Sequence, residues 1–91
     1  MTARELAHDI LIEVEVGGYA SDLLVHRSRA LDSREAGLAV SIVQGVLRYR
    51  AQIDFILSRL MPRPLEKLDP EVLEALRVGV FQLRYLGLVT K

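Results

Sequence analysis

Apolar residues recur every three or four positions through residues 41–57, which read S-I-V-Q-G-V-L-R-Y-R-A-Q-I-D-F-I-L. This spacing predicts a helix, and the breadth of its apolar face predicts neighbouring helices on more than one side. Treated as one helix over residues 34–59 and projected at about 100° per residue, the segment also has a polar stripe. The members of that stripe are Arg34, Ser41, Gln44, Gly45, Arg48, Gln52 and Arg59.

Arg50 and Asp54 interrupt this pattern, because both project into the apolar side of the helix. One interpretation is an i,i+4 ion pair between them at a helix contact. The other is a break near Tyr49, which would reset the helical phase. We favour the break.

Capping motifs predict the helices at the start of the chain. Thr2 and Glu5 form a T-x-x-E capping box, and the glycine pair at residues 17–18 should end this first helix. Ser21 is predicted to cap a short second helix that runs to about Ala30.

The remaining helix boundaries are predicted in the same way. Asp32 and Glu35 form a D-x-x-E motif that should open the central helix, and the prolines of residues 61–64 should end it. Asp69 followed by proline predicts the start of a last helix over residues 70–86, with a glycine stop at residue 87. Since no segment alternates with period two, we predict an all-α bundle of four to five helices that forms one domain, residues 1–91.

The last predicted helix is apolar on two sides. Its main apolar face comprises Val72, Leu73, Leu76, Val80 and Leu83. A second strip contains Val78, Phe81 and Tyr85, which earlier helices leave uncovered in this interpretation. We therefore predict that the chain forms a two-fold homodimer that buries this strip.

Two glycines lie inside helices among apolar residues, where glycine costs roughly 1 kcal/mol relative to alanine. Gly45 is in the central helix and Gly79 is in the last one. Each is predicted to mark a close helix approach, and the two could meet each other.

The composition argues for a binding module and against an enzyme. The chain has no cysteine, and its two histidines lack the neighbours of a ligand set, so no metal site is predicted. No nucleotide-binding loop or nucleophile motif is present, and we predict neither catalytic residues nor a bound cofactor. The absence of a long apolar run and of a signal-peptide pattern predicts a cytoplasmic protein without a membrane partner.

Charge is unevenly distributed although the net charge is zero. Residues 27–63 contain seven arginines and three carboxylates, a net charge of +4, whereas residues 1–26 carry −4. Arginine is suited to bidentate phosphate contact, so this middle segment is a candidate RNA-binding face, although solvated helix surfaces with local ion pairs would show the same charges. We rank the candidates as Arg34 and Arg48, then Arg27 and Arg29, then Arg50, whose alternative is a pair with Asp54.

Three segments carry a family resemblance. They are A-R-E-L-A-H-D-I-L-I-E-V with G-G-Y-A, then V-Q-G-V-L-R-Y-R-A-Q-I-D-F-I-L, then R-P-L-E-K-L-D-P-E-V-L-E-A-L-R-V-G-V-F-Q-L-R-Y-L. Together they resemble the NusB-like RNA-binding domain, in the version found at the N-terminus of RsmB/Sun-type rRNA cytosine-5 methyltransferases. The resemblance implies an all-helical, non-catalytic domain that binds RNA, and rRNA in particular. In such enzymes a separate C-terminal domain binds S-adenosylmethionine and supplies a cysteine thiolate.

The chain departs from the family pattern at two places. Glu35 stands where aspartate is usual, and Thr90 stands where a proline usually precedes further helices with an A-V-N-E-A-type motif. The sequence is therefore expected to be a fragment of the domain without its final helices. Two alternatives stay open: a NusB-type antitermination factor that binds RNA with a ribosomal protein, and a purely protein-interacting helical bundle.

Overall fold

The computed structural model describes residues 1–86, and α-helices make up most of this range. The helices are α1 (Ala3–Glu15), α2 (Ala20–Arg27), α3 (Ser33–Arg48), α4 (Arg50–Leu60) and α5 (Pro70–Phe81). Short 3-10 turns occupy Ser28–Ala30 and Leu65–Lys67, and a π-helical turn, Gln82–Leu86, continues α5. Residues 1–86 contain no strand, so the all-α prediction is confirmed. The predicted stop at Gly87 and the departure at Thr90 lie outside the described residues.

The predicted ends of α1 are confirmed. The Thr2 hydroxyl accepts a hydrogen bond from the Glu5 N–H at 3.1 Å, and the Glu5 carboxylate accepts one from the Thr2 N–H at 2.8 Å. At the other end Gly17 has φ +106°, a conformation that favours glycine, and it turns the chain away from the helix.

The boundaries of α2 differ from the prediction. The helix begins at Ala20 after Tyr19, without a side-chain cap, so Ser21 lies inside it and the predicted Ser21 cap is wrong. The helix also ends at Arg27 rather than near Ala30, because the chain tightens there into the 3-10 turn. A serine followed by apolar residues was a weak signal for this boundary, since the same residue type is tolerated within a first helical turn.

The start of α3 joins it to α1. Asp32 accepts a hydrogen bond from the Glu35 N–H at 2.8 Å, as the D-x-x-E motif predicts. The Glu35 carboxylate, however, accepts from the Ala3 N–H at 3.0 Å instead of closing the box on Asp32. A side chain predicted to act within one helix therefore satisfies a free N–H group at the start of another.

The predicted break in the central segment is confirmed, since α3 ends at Arg48 and α4 begins at Arg50. The alternative pair between Arg50 and Asp54 is wrong, because each has a different partner. Arg50 pairs with Glu15 of α1, and Asp54 pairs with Arg77 of α5. The two residues thus fix α4 against two other helices.

The core lies where α1, α3 and α5 pack together, with α4 placed against α5 and α2 against α1. Its fully buried apolar side chains come from all five helices. They are Ala3, Leu6, Ala7, Ile10, Leu11, Leu24, Ala39, Ile42, Val43, Val46, Ile53, Leu57, Val78 and Phe81.

Helix α5 is rotated relative to the prediction. Val72 and Leu83, assigned to the main apolar face, are 47% and 59% exposed, and the other three members of that face are only half-buried. Val78 and Phe81 are instead 2% and 4% exposed. The predicted homodimer through Val78, Phe81 and Tyr85 is therefore not supported, because one chain already covers this strip.

A buried charge network explains the rotation of α5. The Arg77 guanidinium donates two hydrogen bonds of 2.8 Å to the Asp54 carboxylate and one of 2.6 Å to Glu74. Arg77 and Glu74 are both buried, which a hydrophobicity pattern cannot anticipate for charged residues. Burial raises the pKa of the Glu74 carboxyl above its usual value, and the Arg77 charge only partly offsets this.

The two helical glycines have different surroundings. A Cβ on Gly45 would overlap the buried ring of Phe81, so this glycine does mark a close helix approach, between α3 and α5. A Cβ on Gly79 would meet no described atom within 4 Å. The predictions for Gly79 and for a Gly45–Gly79 contact are wrong.

Gly45→Ala is expected to lower the free energy of unfolding by about 1–3 kcal/mol, because the Phe81 ring must move within a packed core. Gly79→Ala is the matched control and should raise it by up to about 1 kcal/mol through helix propensity. Urea denaturation of both variants measures the difference. Stabilisation by Gly45→Ala would show that the α3–α5 contact has spare room.

Arg77→Met should lower the free energy of unfolding by about 3–5 kcal/mol at pH 8, because it leaves the Glu74 carboxylate buried without its partner. Folded Glu74 keeps its proton to a higher pH than unfolded Glu74, whose ordinary pKa is 4.5. Its penalty is therefore present at high pH and is relieved as the pH falls towards 4.5. The loss relative to the parent chain should accordingly be smaller at pH 5.

The double variant Arg77→Met with Glu74→Gln is the control, since it removes the buried charge as well. Urea denaturation across this pH range should show a smaller and less pH-dependent loss. Equal losses for the single and double variants at every pH would rule out Glu74 as the source.

Candidate nucleic-acid interface

The outer face of α3 is polar and positively charged. Arg34, Ser41, Gln44 and Arg48 are all exposed along it, as the sequence stripe predicts. The rest of the predicted stripe does not belong to this face, because Gly45 packs against buried Phe81, and Gln52 and Arg59 lie in α4. The only carboxylate within α3 is that of Glu35, which is held by the Ala3 N–H. No negative charge of α3 itself therefore lies along the stripe between the two arginines, and the face is suited to an anionic ligand.

The length of this face indicates how many nucleotides of a strand it could contact. Arg34 and Arg48 are fourteen positions apart in one helix, which corresponds to about 21 Å at about 1.5 Å per residue. A stacked nucleic-acid strand rises about 3.4 Å per nucleotide, so roughly six nucleotides would span the two arginines. The stripe is long enough to contact several successive phosphates.

Aromatic rings connect the end of this face with the core. The Arg48 guanidinium lies over the Tyr49 ring, 5.5 Å from its centroid. Tyr49 stacks with Tyr85 at a centroid distance of 4.5 Å and an angle of 9°, and Tyr85 stacks with buried Phe81 at 5.6 Å. We call Phe81, Tyr85 and Tyr49 the aromatic column. It begins in the core and ends beside an exposed arginine.

A hydrogen bond fixes the middle of the aromatic column. The Tyr85 hydroxyl donates to the Gln52 side-chain carbonyl at 2.7 Å. Gln52 lies in α4 and Tyr85 in the turn after α5, so the bond joins the start of α4 to the end of α5. Cation–π contact and ring stacking at the surface each stabilise by about 0.5–1.5 kcal/mol, which is enough to favour one orientation of Arg48.

The sequence model of the NusB family matches residues 1–89. The chain belongs to the NusB family. Among curated proteins it is similar to the probable ribosomal RNA small subunit methyltransferase B of Bacillus subtilis, with 31% identity over 88 residues. The corresponding Thermus thermophilus methyltransferase is 40% identical over 83 residues.

The share of each relative that is covered differs between two groups. The matches cover 93% and 89% of this chain but only 20% and 21% of the Bacillus and Thermus methyltransferases. The transcription antitermination protein NusB of Kineococcus radiotolerans is 32% identical over 85 residues, which is 91% of this chain and 62% of that protein. The chain thus spans about a fifth of the methyltransferases it matches. No solved structure matches it.

The five arginines predicted as candidates fall into two groups by exposure and ion pairing. Arg29, Arg34 and Arg48 are exposed, and none of them forms an ion pair with a residue in the range 1–86. The other two, Arg27 and Arg50, are half-buried and engaged with helix α1. Their ion pairs with α1 therefore give them a structural role in this chain.

The engaged arginines hold α1 to its neighbours. Arg27 forms an ion pair with Glu13. Arg50 donates a hydrogen bond of 2.8 Å from Nη2 to Glu15 Oε1, and its Nη1 lies 2.7 Å from Glu15 Oε2 in an ion pair. The hydrogen bond from Arg50 keeps the pKa of the Glu15 carboxyl below its usual value. Both arginines are therefore partly neutralised before any ligand arrives.

The sequence pattern did not indicate that the aromatic column belongs to this interface. Tyr85 was predicted to lie in a dimer contact and Tyr49 at a helix break. The signal that could have found the site is that R-Y-R triplet at the predicted break, since aromatic residues among arginines are typical of nucleic-acid surfaces. The sequence alone could not show that Tyr85 stacks on Tyr49, because this contact depends on the rotation of α5.

The rest of the described chain shows no second type of site. Residues 1–86 contain no group of three or more histidine, cysteine, aspartate or glutamate side chains placed to hold a metal ion. Within the same range, none of the helices is long and apolar enough to cross a membrane. A groove of about 1190 Å³ lies between α1, α4 and α5, and the carboxylates of Glu15, Asp54 and Glu74 in its lining are paired with arginines.

Proposed function

We propose that this NusB-family chain is the RNA-recognition domain of an rRNA small-subunit methyltransferase and binds RNA along the outer face of α3. The observation that carries the proposal is the exposed arginine stripe from Arg34 to Arg48, which no carboxylate of α3 interrupts. The similarity to two small-subunit rRNA methyltransferases supports rRNA as the ligand.

The mechanism of binding is electrostatic. Each arginine that reaches a phosphate releases condensed counterions, so affinity falls as salt concentration rises. Arg34 and Arg48 can approach phosphates directly because their guanidinium groups have no ion-pair partner within residues 1–86. Arg29, exposed in the turn before α3, would extend the contact at that end.

Because this chain covers only about a fifth of the matched methyltransferases, we assign RNA binding to this segment and catalysis to another domain. This segment would position the RNA, and a separate catalytic domain of the complete protein would bind S-adenosylmethionine and methylate cytosine at C5. The segment then needs no cofactor of its own and acts in the cytoplasm, where ribosomes are assembled. The assignment of residues 1–91 to one RNA-binding domain belongs to this proposal too.

The second candidate function is transcription antitermination. The Kineococcus NusB protein favours it, because this chain covers 62% of that relative rather than a fifth. A domain of this kind would bind RNA together with a ribosomal protein. The reading frame downstream of codon 91 separates the two functions, because only the methyltransferase continues into a catalytic domain.

RNA binding is tested by a salt titration of the 91-residue chain with a 12-nucleotide single-stranded RNA. The variant Arg34→Ala with Arg48→Ala should bind more weakly, and the slope of log affinity against log salt should flatten by about 0.7 for each lost phosphate contact. Arg4→Ala is the control, because it removes an exposed charge from the α5 side of α1 instead. Circular dichroism verifies that all variants fold.

The outcomes separate the proposals. An unchanged affinity and slope for the double variant would remove Arg34 and Arg48 from the site. RNA binding without any salt dependence, or none at all, would favour the purely protein-interacting bundle.

A further inference from the structure

The arrangement of Arg48 and Tyr49 points to a specific role for one arginine at the end of this face. We propose that the Arg48 guanidinium, supported by the aromatic column, stacks on an unpaired nucleobase of the bound RNA. This inference rests on the proposed function, because it assigns a role to one end of the same face.

The guanidinium is held in place before a ligand binds. Arg48 lies over Tyr49, Tyr49 stacks on Tyr85, and the Tyr85 hydroxyl is bonded to Gln52. The far end of the column, Phe81, is 4% exposed and packs beside Gly45. A flexible arginine loses side-chain entropy when it binds, and ordering it beforehand reduces this loss.

The contact with the aromatic column leaves the positive charge of Arg48 available to a ligand. The face of the Tyr49 ring attracts the Arg48 guanidinium but leaves its N–H groups free to donate hydrogen bonds. No carboxylate within residues 1–86 is within salt-bridge distance of Arg48. The planar group can therefore stack on a base while its edge donates to a phosphate or a base edge. Arg50, one residue beyond Tyr49, has lost this option through its bidentate bonds to Glu15.

The shape of the site favours an unpaired base. Bases within an RNA duplex are stacked on one another, and side chains cannot enter its narrow major groove. A base in a single strand can be splayed out and stack on an aromatic ring or an arginine plane. Since α3 ends at Arg48, the guanidinium lies at the end of the stripe, where a base can turn away from the phosphates that follow the helix.

The test compares two substitutions that both keep the positive charge. Arg48→Lys removes the planar group, whereas Arg34→Lys makes the same chemical change at the other end of α3, where no stacking is proposed. The ligands are a 12-nucleotide single-stranded RNA and a duplex of the same sequence. Arg48→Lys should weaken single-strand binding by about five- to thirtyfold with an unchanged salt slope. Arg34→Lys should weaken it less than Arg48→Lys does, because lysine keeps a positive charge at a phosphate contact but cannot replace a stacked plane.

A spectroscopic readout checks stacking independently of affinity. The same single strand carrying 2-aminopurine should lose fluorescence on binding the parent chain, and this quenching should be reduced by Arg48→Lys but not by Arg34→Lys. Duplex affinity should be equal for all three proteins and weaker than the single-strand affinity of the parent chain.

Each failure has a separate meaning. If the parent chain binds single strands in a salt-dependent way but Arg48→Lys and Arg34→Lys are equivalent, the stacking inference is wrong and the proposed function stands. Equal affinity of the parent chain for duplex and single strand also overturns the inference. If the parent chain binds neither RNA, both the inference and the proposed function fail.

Discussion

The buried guanidinium of Arg77 is the interaction on which the arrangement of the last helix depends. It bonds Asp54 of α4 and Glu74 of its own helix. A charge in this position must keep its partners, because the loss of either one leaves an uncompensated group away from water. The rotation of α5 that satisfies all three side chains also turns Val78 and Phe81 into the core. The network therefore stabilises the arrangement in which this apolar face is buried.

The same rotation of α5 also places the aromatic column between the core and the surface. With Phe81 against Gly45, the next turn brings Tyr85 onto Tyr49 at the break between α3 and α4. The ring of Tyr49 in turn lies beneath the guanidinium of Arg48. Packed rings thus connect the helix that carries the buried ion network with an exposed arginine. In this account folding and RNA recognition share one chain of contacts.

Much of the fold could be predicted from the sequence, because local signals decide helix ends. The capping box at Thr2 and the proline stop after α4 depend on neighbouring residues alone. The break at Tyr49 was indicated by Arg50 and Asp54, which interrupt the apolar face of the central segment. The face of α5 could not be predicted, because a hydrophobicity pattern places Arg77 in solvent. Its partner Asp54 lies 23 positions away in the sequence, and Glu74, three positions away, would also have been placed in solvent. The candidate arginines could be found from the charge pattern of the sequence. That Arg50 is paired and Arg48 is not could be seen only from the tertiary contacts, because the partner of Arg50 is Glu15 of α1.

The central claim is that RNA lies along the outer face of α3 and ends at the junction with α4. Backbone and arginine side-chain N–H resonances, followed by NMR during titration with the single-stranded 12-mer, test it most directly. The account predicts the largest shift changes at Arg34, Ser41, Gln44, Arg48 and Tyr49, with little change on α1. Shifts concentrated in the groove between α1, α4 and α5, with α3 unaffected, would contradict it.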